Sequence, residues 1–175
     1  MDLKIKRLHD KAQIPTRGHK GDAGLDFIAT EITQEFDHAR KLILVYHTGW
    51  AVEIPDGYVG LLFMRSSVSN FSLSLTNAVG VIDSTYRGEV IAKFKVMTDT
   101  TPAIYEPEKD KFIQLVIVPI IEVDPVITTE LSETDRGDGG YGSTDEKEES
   151  TTDTKDEGVE AVTPEVVGND TVVTE

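Results

Sequence analysis

The sequence predicts an all-β sandwich or barrel, and three observations carry that expectation. Apolar residues come in short alternating or continuous runs of strand length, turn formers punctuate them every ten residues or so, and no stretch holds a convincing helical period. At 175 residues the chain is long enough for one domain with a real core and short for two.

The elements follow in chain order. Leu3 and Ile5 alternate with Lys4 and Lys6, as an exposed first strand should. Residues 9–22, with Pro15, Gly18 and Gly21 among polar neighbours, read as a loop, and Gly24 to Ala29 resumes extended structure. Leu42 to Tyr46 is apolar on both faces, Trp50 to Ile54 is a further run, and Pro55-Asp56-Gly57 ends it in a turn with Tyr58 to Met64 as the partner strand. Arg65 to Phe71 has room for a single helical turn. Leu73 and Leu75 then alternate with Ser72, Ser74 and Thr76 and lead into a hairpin whose second strand runs through Val96. A loop over 98–111 precedes the last buried strand, Phe112 to Ile121.

Charge and composition exclude several functions. The formal net charge is -15, but residues 145–175 hold 11 acids against 2 Lys, so the body of the chain is only mildly acidic. It has no basic stripe to neutralise a nucleic-acid backbone, and a free nucleotide is a better ligand than a polymer. The chain has no cysteine, which removes disulfides, thiol nucleophiles and Cys-ligated zinc. His9, His19, His38 and His47 are scattered without ligand spacing and read as solvated or packed side chains. The basic N-terminus is followed by no apolar run, and Phe112 to Ile121 is too short to span a membrane, so a cytoplasmic protein is expected, in the host cell cytoplasm if the source is viral.

The chemistry concentrates in Asn77-Ala78-Val79-Gly80-Val81-Ile82-Asp83-Ser84-Thr85-Tyr86-Arg87-Gly88-Glu89, which reads as strand, tight turn and strand. A carboxylate and a phenol stand three residues apart with an amide upstream, a combination that suits a slot for a nucleoside. Asp83 is equally a turn residue and Tyr86 equally a packing residue on this pattern alone. This stretch resembles the third motif of the trimeric dUTP diphosphatase (dUTPase) family, and four further blocks fall in that family's order. They are Ala23 to Phe27, Arg65-Ser66-Ser67, Gln114 to Pro119, and Arg136 to Thr144; the resemblance as a whole covers residues 3–144.

The resemblance implies a jelly-roll-like domain that hydrolyses dUTP to dUMP and pyrophosphate by water attack on the α-phosphorus. It makes Asp83 the general base. Main-chain groups of Gly80, Val81 and Ile82, assisted by Asn77, would pair with uracil, and Tyr86 would pack beneath the deoxyribose and exclude a 2′-hydroxyl. Arg65, Ser66 and Ser67 resemble the phosphate clamp; Arg offers a planar fork and Ser a hydroxyl with a backbone N–H. Gln114 would bond a phosphate or a metal-bound water, and Asp26 would orient waters of an Mg2+ held mainly by the triphosphate, though it also suits a structural turn acceptor. Arg136 would pair with the γ-phosphate, Tyr141 would stack over uracil, and Gly142, Ser143 and Thr144 complete a Gly-rich closing arm. The resemblance also implies a homotrimer with shared active sites, whereas composition alone fits a monomer equally.

On this basis residues 1–126 form the β-domain, 127–144 a mobile C-terminal arm, and 145–175 an acidic, disordered tail whose valines are too sparse for a core. The sequence departs from the family at Met64, usually Pro, and at Lys109, Lys111 and Ile113, usually Gly, Arg and Ala. Tyr141 replaces Phe, Asp145 replaces a common Gly, and the long acidic tail is unusual. A related family of the same fold, dCTP deaminase, places a catalytic Glu ten residues after the hairpin Asp, and that position is Lys93 here. A non-enzymatic regulatory protein of this fold is the other alternative.

Overall fold

The computed structural model describes residues 1–140, and Tyr141, Gly142, Ser143, Thr144 and the tail over 145–175 lie outside the described residues. The chain divides into two units, Met1–Pro125 and Val126–Glu175. The first is built of nine antiparallel strands: β1 (Lys4–Arg7), β2 (Leu25–Ile28), β3 (Glu31–Phe36), β4 (Leu42–Glu53), β5 (Tyr58–Met64), β6 (Leu73–Leu75), β7 (Gly80–Ile82), β8 (Glu89–Val96) and β9 (Lys111–Pro119). One sheet runs β1-β4-β8-β6 with β3 also on β4, and the other runs β2-β9-β5-β7. A five-residue 3-10 turn over Ser66–Asn70 is the single helical turn that the Ser-rich stretch allows.

The two sheets face each other because their strands alternate. Val90, Ala92 and Phe94 on β8, and Leu44, Tyr46, Trp50 and Val52 on β4, point inward, where they meet Phe27, Leu62, Phe112 and Leu115. Tyr46 stacks on Phe112 at 4.9 Å between ring centroids and meets Phe94 edge-on at 5.2 Å. Each such fully buried ring contributes on the order of 1.5–3 kcal/mol relative to exposure. The Tyr46 hydroxyl is the exception to this favourable burial: among the described residues it has no hydrogen-bond partner of good geometry, and burial pushes its pKa up to about 12.

Four expectations need correction. The two runs Leu42 to Tyr46 and Trp50 to Ile54 are one strand, β4, whose ladder with β8 slips between His47 and Ala51. Gly49 makes the bulge feasible: its φ is +70°, and a Cβ there would lie 2.8 Å from that of Ala12. Secondly, Tyr58 to Met64 does not pair with the run before it. The turn at Pro55–Tyr58 carries the chain across to the other sheet, where β5 pairs with β7 and β9. The same holds for the presumed hairpin. β7 pairs with β5 and β8 with β4 and β6, so Asp83 to Gly88 arches between sheets and closes no hairpin ladder. Finally, β3 was not expected at all. Its residues are exposed apart from Ile32, which is half-buried, and it pairs only with β4, so it has no apolar alternation for the sequence to display.

Candidate active site

The arch produces a slot. β6 is only three residues long and pairs with β8 over Phe94–Val96, and with the Thr76 N–H bonded to the Lys93 carbonyl this leaves Glu89 to Ala92 without a strand on that side. β7 is likewise an edge strand, paired to β5 alone. Between these two open edges lies a cavity of about 280 Å³ lined by Asn77, Gly80, Val81, Ile82, Asp83 and Tyr86, together with Leu62, Leu75, Glu89, Ile91, Ala92 and Lys93. Open edges present unpaired main-chain N–H and C=O groups, the donors and acceptors that a flat heterocycle with its own alternating edge can pair with.

Local bonds fix the slot's walls. The Tyr86 N–H donates to the Asp83 carbonyl at 3.1 Å, closing the turn that carries the carboxylate. The Arg87 guanidinium donates to the carbonyls of Ser84 and Tyr86, and the Tyr86 hydroxyl to the Glu89 carbonyl at 3.0 Å. With its hydroxyl tied down, the Tyr86 ring still presents a partly exposed face. Asp83 is exposed at the rim. On the opposite wall, Val79 N–H donates to the Asn77 carbonyl at 2.6 Å around Ala78, whose φ is +59°. A non-glycine residue in this region is strained, and the strain falls on the residue beside Asn77. Gly80 keeps the wall thin, because a Cβ there would lie 3.0 Å from that of Leu62.

A second cluster forms at the far end of β5. Arg65 Nε donates to Asp26 Oδ1 at 2.9 Å and Lys111 Nζ to Asp26 Oδ2 at 3.2 Å, while Arg65 Nη1 reaches the Lys111 carbonyl. Asp26 is almost wholly buried, and the two cations offset the desolvation cost of its carboxylate. Gln114, directly across from Asp26 in the β2–β9 ladder, donates from Nε2 to the Met64 carbonyl at 3.2 Å. Gly24 leaves room for it, since a Cβ there would collide with the Gln114 amide. Ser66 is exposed, and Ser67 Oγ lies 3.5 Å from the buried Tyr105 hydroxyl.

The sequence-predicted residues therefore fall into two groups that one chain does not unite. Register sets Ile82 opposite Gly60, so Asp83 leaves the ladder at the end of β5 remote from Arg65. Gly60 and Arg65 are five residues apart, roughly 16 Å at the rise of a strand. Arg136, in the unit from Val126, donates from Nε to the Gly139 carbonyl at 2.8 Å in an exposed turn where Gly137 has φ +55°. The sequence reading gave no site role to Glu89, Lys93 or Lys111: Glu89 only closed the hairpin stretch, Lys93 only marked where a deaminase would carry Glu, and Lys111 showed only as a departure from the family pattern.

An all-β, jelly-roll-like domain with a base-sized slot between two sheet edges and a carboxylate at its rim defines the class. The chain belongs to the dUTPase family, whose model matches residues 10–145. It is 39% identical over 143 residues to the deoxyuridine 5'-triphosphate nucleotidohydrolase of Corynebacterium glutamicum, covering 81% of this chain and 93% of that one. The protein of that name from a Picosynechococcus strain is 34% identical over 146 residues, with 82% and 99% covered. Among solved structures, a mutant of the phage 80alpha dUTPase superposes with TM-score 0.67 at 30% identity, covering 81% of this chain and 98% of that one. The Staphylococcus bacteriophage 80alpha dUTPase with dUPNHPP gives 0.65 at 29%, with 81% and 97% covered. A mutant dUTPase from phage phi11 of S. aureus, described with a structural Mg(II) ion, gives 0.59 at 30%, with 74% and 98% covered.

Proposed function

We propose that the protein is a dUTP diphosphatase: dUTP and water give dUMP and pyrophosphate. The observation that carries this reading is the slot, in which Asn77, Gly80, Val81, Ile82, Asp83 and Tyr86 converge. Uracil enters between the edges of β7 and β8 and pairs with main-chain groups of Gly80 to Ile82, helped by the Asn77 amide. Cytosine turns a donor toward donors and leaves a buried group unpaired, so it is rejected. The Tyr86 ring lies under the deoxyribose. Asp83 accepts a proton from the water that attacks the α-phosphorus, and the bond to the pyrophosphate oxygen breaks in line.

Arg65, Ser66, Ser67 and Gln114 hold the triphosphate, and the separation of roughly 16 Å along β5 supports their serving an Asp83 on another copy of the chain. The outer face of the β2-β9-β5-β7 sheet supports the same assembly. Beyond Asp26 and Gln114 it carries Phe63, then Val116, Leu61 and Val81, then Val118 and Val59, an apolar surface beside a polar half-site. A homotrimer with shared sites satisfies both features. Arg136, Tyr141, Gly142, Ser143 and Thr144, on the arm over 127–144, close the site in this reading. Its place of action is the cytoplasm, that of the host cell if the chain is viral.

Among the described residues no three His, Cys, Asp or Glu side chains gather to hold a metal. Asp26, ion-paired on both oxygens, suits contact with the waters of an Mg2+ that arrives on the triphosphate better than direct coordination. Such an ion supplies charge neutralisation to the phosphates. Within the chain, Asp26 also holds Arg65 and Lys111 in place until the phosphates arrive.

A nucleotide panel with pyrophosphate detection tests the reading: rapid turnover of dUTP and poor turnover of UTP, dCTP and dTTP are expected. Ammonia release from dCTP would instead favour the deaminase, against which Lys93 stands paired to Glu35 at 2.6 Å.

A further inference from the structure

The Tyr86 ring is positioned from behind. Its hydroxyl donates to the main-chain carbonyl of Glu89, the first residue of β8. Glu89 does not rest on ladder pairing alone, because the β4–β8 register breaks directly beside it, between His47 and Ala51. Its carboxylate bridges the break. Oε1 accepts the Gly49 N–H at 2.7 Å, and Oε2 lies 3.2 Å from His47 Nδ1, whose other ring nitrogen is 3.0 Å from Thr33 Oγ1 on β3. Thr48 adds a parallel stitch, its hydroxyl donating to the Val90 carbonyl at 2.7 Å. The segment from Tyr86 to Glu89 has little slack, since a Cβ at Gly88 would strike the Tyr86 ring.

We propose that Glu89 is a positioning residue for sugar selection: by tying the start of β8 to the bulge of β4, its carboxylate sets the height of the Tyr86 ring beneath the sugar. This rests on the role given above to Tyr86. A ring that can drop by a fraction of an ångström makes room for a 2′-hydroxyl, whereas Asp83, on the other side of the turn, keeps its own bonds and its reach to water. Loss of the carboxylate should therefore affect discrimination and KM before kcat.

The test is the ratio of kcat/KM for dUTP over UTP in purified full-length protein. Glu89→Ala should lower that ratio about tenfold, with a raised KM for dUTP and kcat within about twofold of the parent. Glu89→Gln, which still accepts the Gly49 N–H, should restore the ratio. Glu89→Asp, one methylene too short to reach Gly49, should also lose discrimination, and it serves as the second variant should Glu89→Ala fail to fold. If Glu89→Ala and Glu89→Asp lower only the Tm and leave the ratio unchanged, the proposal is overturned. A parent protein that does not turn over dUTP would fail the underlying reading, and a parent selective for dUTP with equally selective Glu89 variants would fail only this one.

Discussion

Two inactive variants should repair each other. Asp83 and Arg65 stand at opposite ends of β5, whose stretch from Gly60 to Arg65 alone rises roughly 16 Å, too far for one chain to offer both to the α-phosphate. Asp83→Asn removes the proposed base, and Arg65→Ala removes the proposed phosphate fork; each alone should cost on the order of 10² or more in turnover. Neither should unfold the protein. Asp83 is exposed, and without Arg65 the buried Asp26 carboxylate still has Lys111 Nζ at 3.2 Å, so no bare buried charge is left. When equal amounts of the two chains are unfolded and refolded together, association is random. Half of the sites draw Asp83 from a chain that keeps it, and half of those draw Arg65 from a chain that keeps it, so about a quarter of parental activity should return. Pyrophosphate release from the mixture, compared with each variant refolded alone and with sizing of the assembly, gives the readout. A refolded oligomer of parental size with no more activity than its two parents would refute the shared site.

Asp83→Asn should bind a non-hydrolysable dUTP analogue about as well as the parent, measured by calorimetry, while turnover falls at least about a hundredfold. Removing residues 145–175 should leave most activity, whereas ending the chain at Asp135 should abolish efficient turnover with the β-domain's circular dichroism unchanged. Tyr46→Phe should leave the fold intact and raise stability by about 1 kcal/mol, because it deletes a buried hydroxyl that has no partner. The gain should grow in alkali. Burial holds the folded Tyr46 pKa near 12 against 10.0 when exposed, so the parent has its full stability below pH 10 and loses it as the unfolded chain ionises between those values. Denaturant melts at pH 8 and pH 11 would show whether the difference widens.

Six residues of the slot, Asn77, Gly80, Val81, Ile82, Asp83 and Tyr86, and the order of the five motif blocks were legible in the sequence, because each block is local: a turn, a Gly-rich segment or a short polar run carries its chemistry in adjacent positions. The strands with an apolar period were legible for the same reason. β3 was not, since an edge strand with almost every side chain in water leaves no periodic trace. What only the tertiary structure decided is partnership. Alternation says which face of a strand is buried but not which strand lies beside it, and a turn of about four to six residues can close a hairpin or cross a sandwich equally well. Thus Pro55–Tyr58 and Asp83–Gly88 read as hairpin turns and are crossings between sheets. The crossing at Asp83 is what opens the slot, and the register of β7 on β5 is what parts Asp83 from Arg65. Long-range contacts among Glu89, Gly49 and His47 were beyond sequence reading as well, because they depend on a bulge some forty residues away and on nothing in the sequence around Glu89.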